Sequence, residues 1–309
     1  NSPFASIEIN GSLTSHPAYL GSTLQVELSG KSAAAILDRF SVPGVTATPF
    51  TASSELTIGD GMVTVRQGTV TGLYNGDLTI DGDIGIPFPG GKTQLDLKLV
   101  GPNLQRSLSN LWKDSPAREI PFEIQTQLQG GTGQILLTDL ALRAGPTAIS
   151  ATARIPLVQG VDGLDIGFDG KGPDLKAFLR GRLDLQQTPL QVPDQPWAAS
   201  GQVRKQADRF TLTDLRLQVA DLDAEGSASF PWPLRADQVT FKLSASGADL
   251  AAIVPVIGDF SPSGESYSVD LEGVRSGEGW QIDPSRFSFA GATLNFGGNI
   301  DGLPDFSST

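Results

Sequence analysis

The chain has 309 residues, with 22 basic and 34 acidic side chains, a formal net charge of −12, 36 Gly, 21 Pro and no Cys. This acid excess opposes binding to nucleic acid and flat adsorption on an anionic leaflet, and the lack of Cys removes disulfides and thiolate chemistry. Apolar residues at 39% beside so much Gly and Pro predict real core broken by many turns, hence short strands.

In chain order, residues 1–30 read as the tail of a repeat, and four further repeats follow at 31–101, 102–172, 173–247 and 248–309 as one continuous array. Each is marked by a strand ending in Gly that runs into a short amphipathic segment: VELSG-KSAAAILDRF, LKLVG-PNLQRSLSNLW, GFDGKG-PDLKAFLRGRL and KLSASG-ADLAAIVPVIG. The junction glycines, Gly30, Gly101, Gly172 and Gly247, are 71, 71 and 75 residues apart. Leu104, Leu108 and Leu111, and then Leu175, Phe178, Leu179 and Leu183, follow helical spacing. Pro102 and Pro173 suit a first helical position, and Asp174 and Asp249 place negative charge on the first turn. Helices of about three turns do not stand alone in water, so a sheet is expected beneath them.

Between these segments polarity alternates, as in Phe122, Ile124 and Leu128, in Ile149 to Leu157, and in Leu164, Ile166 and Phe168. Period two predicts strands with one apolar and one wet face. A second marker, at Val63, Ile135, Phe210 and Trp280, recurs at intervals of 72, 75 and 70 residues. Within it Leu137 and Leu142, Leu212 and Leu217, and Ile282 and Phe287 are five apart, an odd spacing that breaks alternation. One extra residue at Thr138-Asp139, Thr213-Asp214 or Asp283-Pro284 restores a common face, as a β-bulge does, and bends the strand. The expected fold is mainly β: an elongated, strongly curved antiparallel groove, each repeat supplying about four strands and one short helix.

Conventional chemistry is missing from the sequence. The single His16 has neither Cys nor a second His to form a zinc or haem site, and reads as a turn residue. Asp221, Asp223 and Glu225 alternate with Leu222 and Ala224 and read as the wet side of one strand. Gly85 to Lys92, GIPFPGGK, lacks the spacing of a phosphate loop and reads as a β-turn. No G-x-S-x-G elbow is present, so no enzyme activity, metal or cofactor is expected. No run of 18 apolar residues occurs, the richest, Ala251 to Ile257, being interrupted by Pro255, and the start at Asn1 without a leader reads as a processed or excised piece.

The stretch from Gly247 to Gly302 resembles the repeat of AsmA-like proteins. Asp249, Leu250, Ile253, Val256 and Gly258 fill a G-x-D-L-x-x-L-x-x-L-G-type helix pattern, Trp280, Ile282, Phe287 and Phe289 fill the next strand, and Leu294, Phe296 and Ile300 the last. The resemblance implies a periplasmic bridge-like protein with an inner-membrane anchor outside this segment, an open groove for phospholipid, and no catalytic residues. Groove-lining candidates are Leu128, Ile166, Phe168, Phe241, Leu243, Phe287, Phe289, Leu294 and Phe296. The periodicity is equally that of a face buried against a second sheet. The rival function is a non-enzymatic scaffold that assembles outer-membrane proteins by β-strand augmentation. A closed membrane barrel would be poorly served by three Tyr and four Trp as an aromatic girdle, and sugar stacking by 7% aromatics.

Overall fold

The computed structural model describes residues 5–15, 19–32, 48–73, 76–87, 91–103, 120–131, 133–157, 162–179, 194–231, 238–250, 264–276 and 279–301. The chain divides into two compact units, Asn1–Val158 and Gln159–Thr309.

The first unit holds β1 (Ala5–Ser12), β2 (Thr23–Gly30), β3 (Phe50–Gly59), β4 (Met62–Leu73), β5 (Gly76–Gly85), β6 (Thr93–Gly101), β7 (Phe122–Gly131), β8 (Gln134–Ala144) and β9 (Thr147–Pro156). Each pairs with the next in antiparallel sense. The second holds β10 (Asp165–Gly172), a single described helix α1 (Leu175–Leu179), β11 (Trp197–Gln206), β12 (Arg209–Val219), β13 (Leu222–Pro231), β14 (Thr240–Gly247), β15 (Tyr267–Ser276), β16 (Gly279–Phe289) and β17 (Ala292–Asp301). Its strands also pair in chain order, all antiparallel. The mainly antiparallel β fold expected from alternation is present in both units.

The odd leucine spacings mark register shifts. β4 shifts between Val65 and Gly68, β8 between Leu137 and Leu140, β12 between Leu212 and Leu215, and β16 between Ile282 and Ser285, always the second strand of its hairpin. In the first three the extra residue is left-handed: Gln67 has φ 50, Asp139 φ 51 and Asp214 φ 52. Such a bulge bends the strand while keeping the apolar residues on either side of it facing one way.

The helical expectations fare differently. The segments at 33–40, 104–112 and 251–258 lie outside the described residues. In α1, Asp174 rather than Pro173 closes the N-terminus: its Oδ1 accepts the Ala177 amide at 2.7 Å, which makes Asp174 the cap and leaves Pro173 ahead of the first turn. Asp221 also departs from its expected place. It sits in the β12–β13 hairpin turn, where its Oδ2 accepts the amides of Ala248 and Asp249 at 2.8 and 3.0 Å; Asp223 and Glu225 do lie on the wet side of β13. Of the stretch from Gly85, residues 88–90 lie outside the described residues; Gly85 ends β5, and the Gly91 amide donates to the Pro87 carbonyl at 2.7 Å. His16 lies outside the described residues.

Candidate apolar face and its rims

Residues opposite one another in an antiparallel ladder share a face, so the registers assign every strand residue to one side. In the second unit one row runs Ile166, Val203, Leu212, Ala228, Phe241 and Gly273. A second runs Gly170, Ala199, Leu217, Ala224, Ala245, Val269, Phe287 and Leu294. Phe168 is opposite Gly201, Leu243 lies between Gly226 and Leu271, Phe289 is opposite Tyr267 and Phe296 opposite Ser285. All eight candidates of this unit therefore lie on one face. Leu128 is on the corresponding face of the first unit, between Leu95 and Leu137.

This face is apolar along its length, yet little of it is buried. In the second unit Ile166, Phe168, Val203, Leu212, Leu217, Phe241, Leu243, Val269 and Phe287 are all half-buried, and Leu294 is 59% exposed. In the first unit the same holds for Leu28, Val70, Ile80, Leu97, Ile124, Leu128 and Ile149. The opposite face, with Asp223, Glu225, Lys242, Asp270 and Glu272, is exposed. A face pressed against a second sheet would have most of its large side chains fully buried.

Full burial on this face is found at one end of particular strands and, within strands, at Val65, Ala153 and Ile282. The first residues of β3, β7, β11 and β15 are Phe50, Phe122, Trp197 and Tyr267, and all four are buried. Each is paired with a junction glycine: Phe50 with Gly30, Phe122 with Gly101, Trp197 with Gly172 and Tyr267 with Gly247. At Gly101 and Gly247 a β-carbon would collide with the ring. Around Phe122 pack Leu99, Ile120, Ile124, Leu142 and Ala144. On Trp197 packs Phe178 of α1, ring centroids 4.5 Å apart, beside the buried Val219. These aromatic rims were not among the candidates, although an aromatic residue 20 to 25 positions after each junction glycine was there to be read.

The other end of the face in the second unit holds two cations. Lys205 and Arg275 occupy apolar-face positions eight residues after Trp197 and Tyr267, and both are buried. The Lys205 ammonium meets the Asp162 carboxylate and donates to the Ala207 carbonyl at 2.8 Å. The Arg275 guanidinium lies 5.8 Å from the ring centre of Trp280, which packs edge-on against Phe241 at 5.3 Å. A buried charge needs such compensation, and both flank the apolar band rather than interrupt it.

A hollow of about 390 Å³ is also present in the second unit, on the wet face. Its floor follows the cross-strand row Asp169, Ser200, Arg216, Glu225 and Ser244, of which only Ser200 and Ser244 are not fully exposed. Charges of both signs alternate in that row, as they do on a solvated sheet surface.

Among the described residues no three His, Cys, Asp or Glu side chains converge as metal ligands would, and no described helix is long and apolar enough to cross a membrane. No protein-family model matches the chain, and neither do the curated proteins or the solved structures compared with it.

Proposed function

We propose that this chain is a non-enzymatic, lipid-binding segment of a bridge-like phospholipid-transfer protein of the Gram-negative periplasm, similar to the AsmA-like proteins, with its inner-membrane anchor elsewhere. In this reading each unit contributes a stretch of an open, curved groove built from repeats of about four strands and one short helix. The acyl chains lie on the apolar face and the headgroups stay in water.

One observation supports this above the others: most large side chains of the apolar face, among them Phe168, Phe241, Leu243 and Phe287, are only half-buried across strand after strand. Contiguous apolar surface left to water on this scale marks a ligand or partner site. A methylene removed from water contributes about 0.8 kcal/mol, so two acyl chains would be held firmly. Neighbouring strands offer similar walls, so a bound lipid could slide without a large barrier. In this reading the energy for directed transfer comes from outside the segment.

The test is purification of the chain without detergent, followed by solvent extraction and mass spectrometry. Co-purifying two-chain phospholipid at a defined stoichiometry is expected. Its absence, with no uptake from phospholipid vesicles added afterwards, would remove the reading.

A further inference from the structure

Charge on the apolar face of the second unit has one sign. Outside the bulges, the registers of β10 to β16 put every Asp and Glu on the wet face, and the charged residues on the apolar face are Lys205 and Arg275. They end one cross-strand row. Lys205 pairs with Phe210 and Phe210 with Phe230, whose rings stack at 5.6 Å, while Arg275 pairs with Trp280 and its amide donates to the Val239 carbonyl at 2.8 Å. The adjoining row, Arg204, Thr211, Ser229, Thr240 and Val274, aligns the two, so they stand four strands apart, about 19 Å along the sheet. In sequence they are 70 residues apart, as are Trp197 and Tyr267, so each repeat of this unit has one cation. The matching positions of the first unit, Ile58 and Gly130, carry no charge.

Both cations can take an anion. The Lys205 ammonium gives one N–H to Asp162 and one to the Ala207 carbonyl, and its third has no acceptor among the described residues. The Asp162 side chain is 40% exposed, so an anion arriving from water can share or replace it. Arg275, beside the Trp280 ring, brings a planar guanidinium, whose N–H groups match phosphate oxygens in pairs. From Trp197 to Lys205 the strand runs about 26 Å, longer than the roughly 15 Å that the tails of one bilayer leaflet occupy.

We propose that Lys205 and Arg275 each receive the phosphate of one phospholipid, with the acyl chains directed toward Trp197 and Tyr267 and the rest of the headgroup in water. This rests on the lipid-binding reading and adds to it an orientation and a requirement for phosphate.

The experiment titrates the full 309-residue chain with tail-labelled phosphatidylglycerol and with tail-labelled diacylglycerol of the same chains. The net charge of −12 opposes an anionic lipid everywhere else, so a preference for it reports the local cations. Phosphatidylglycerol should bind at least about tenfold more tightly. The preference should vanish in Lys205→Gln with Arg275→Gln, persist in Lys205→Arg with Arg275→Lys, and persist in Lys171→Gln, which removes an exposed cation of the wet face. Glycerol 3-phosphate should not displace the labelled lipid. In the unaltered chain, a phospholipid with a photoreactive headgroup should label the surroundings of Lys205 and Arg275, and one with a photoreactive tail end those of Trp197 and Tyr267. Equal binding of the two lipids, a preference that survives the double Gln variant or is lost in Lys171→Gln or in the charge-conserving pair, displacement by glycerol 3-phosphate, or reversed labelling would each overturn the proposal while lipid binding stood. Binding of neither lipid would remove both.

Discussion

Tyr267 lies across the backbone of Gly247: a β-carbon on that glycine would stand 2.7 Å from Cε1 and 2.8 Å from the hydroxyl oxygen of the tyrosine. The pair joins the last residue of β14 to the first of β15, and Phe122 covers Gly101 in the same way. Both glycines precede strands by about 20 residues in sequence and are brought beside them by the sheet, so an aromatic ring takes the space that a side chain would fill.

Gly247→Ala and Gly101→Ala should therefore overpack the rim. Each is expected to lower stability by about 1–3 kcal/mol, measured as a fall in the denaturant midpoint with little change in slope. Gly131, whose β-carbon would meet nothing within 4 Å, supplies the control, and Gly131→Ala should be close to neutral.

Burial, and then the nearby Asp221 carboxylate, raise the Tyr267 phenol above its ordinary value of 10.0. The folded chain thus holds the phenolic proton more tightly than the unfolded chain. The sign follows from linkage: this contribution is fully present below pH 10 and is lost as pH rises above it, through the folded value. Alkaline denaturation should begin above about pH 10, and Tyr267→Phe should make stability less sensitive to pH in that window. Thermal melts of both proteins between neutral and strongly alkaline pH would show it.

The bulge in β12 keeps Leu212 and Leu217 on one face despite their odd separation. Deleting Asp214 would leave Leu212, Leu215, Leu217 and Val219 in strict alternation on one face and remove only the bend, whereas inserting one residue after Leu215 should turn Leu217 and Val219 toward the wet side, since a side-chain period of two admits no smaller consequence. With the insertion, loss of a cooperative transition and dye binding to exposed apolar surface are expected for the second unit. Asp214→Gly keeps the residue count and suits the left-handed φ of 52, so it should fold normally.

The β16–β17 hairpin turns through Ala290 and Gly291, with φ of 50 and 78. A left-handed alanine is strained, whereas Asn accepts this conformation and Asn-Gly is the favoured pair for such a turn. Ala290→Asn is expected to raise stability by about 0.5–1 kcal/mol in an equilibrium denaturation measurement.

Much of the fold was legible because alternation and its interruptions are local. Five-residue gaps at Leu137–Leu142 and Leu212–Leu217 are a direct record of an extra residue, and the structure has the extra residue there. The glycine–aromatic rims were recorded in the sequence only as a recurring spacing, and that Gly172 and Trp197 meet follows from the register of β10 and β11. Lys205 and Arg275 were hidden for a related reason: a charge in an alternating strand reads as solvated, and only the register places both on the apolar side. Whether an apolar face is covered or open was beyond the periodicity altogether, since a sandwich and a groove share the same pattern of residues. Half-burial of Phe241, Leu243 and Phe287 is a tertiary property.

The central claim concerns which side of the sheet meets hydrocarbon, and adjacent residues on opposite faces test it most directly. Photoreactive residues placed singly at Leu243, Ser244, Phe287 and Ser288 sample the apolar and wet faces of β14 and β16 with almost no change in position. After incubation with phospholipid vesicles and irradiation, mass spectrometry should find lipid adducts at Leu243 and Phe287 and few at Ser244 and Ser288. Equal yields on both faces, or none at Leu243 and Phe287 while the chain remains folded, would contradict it.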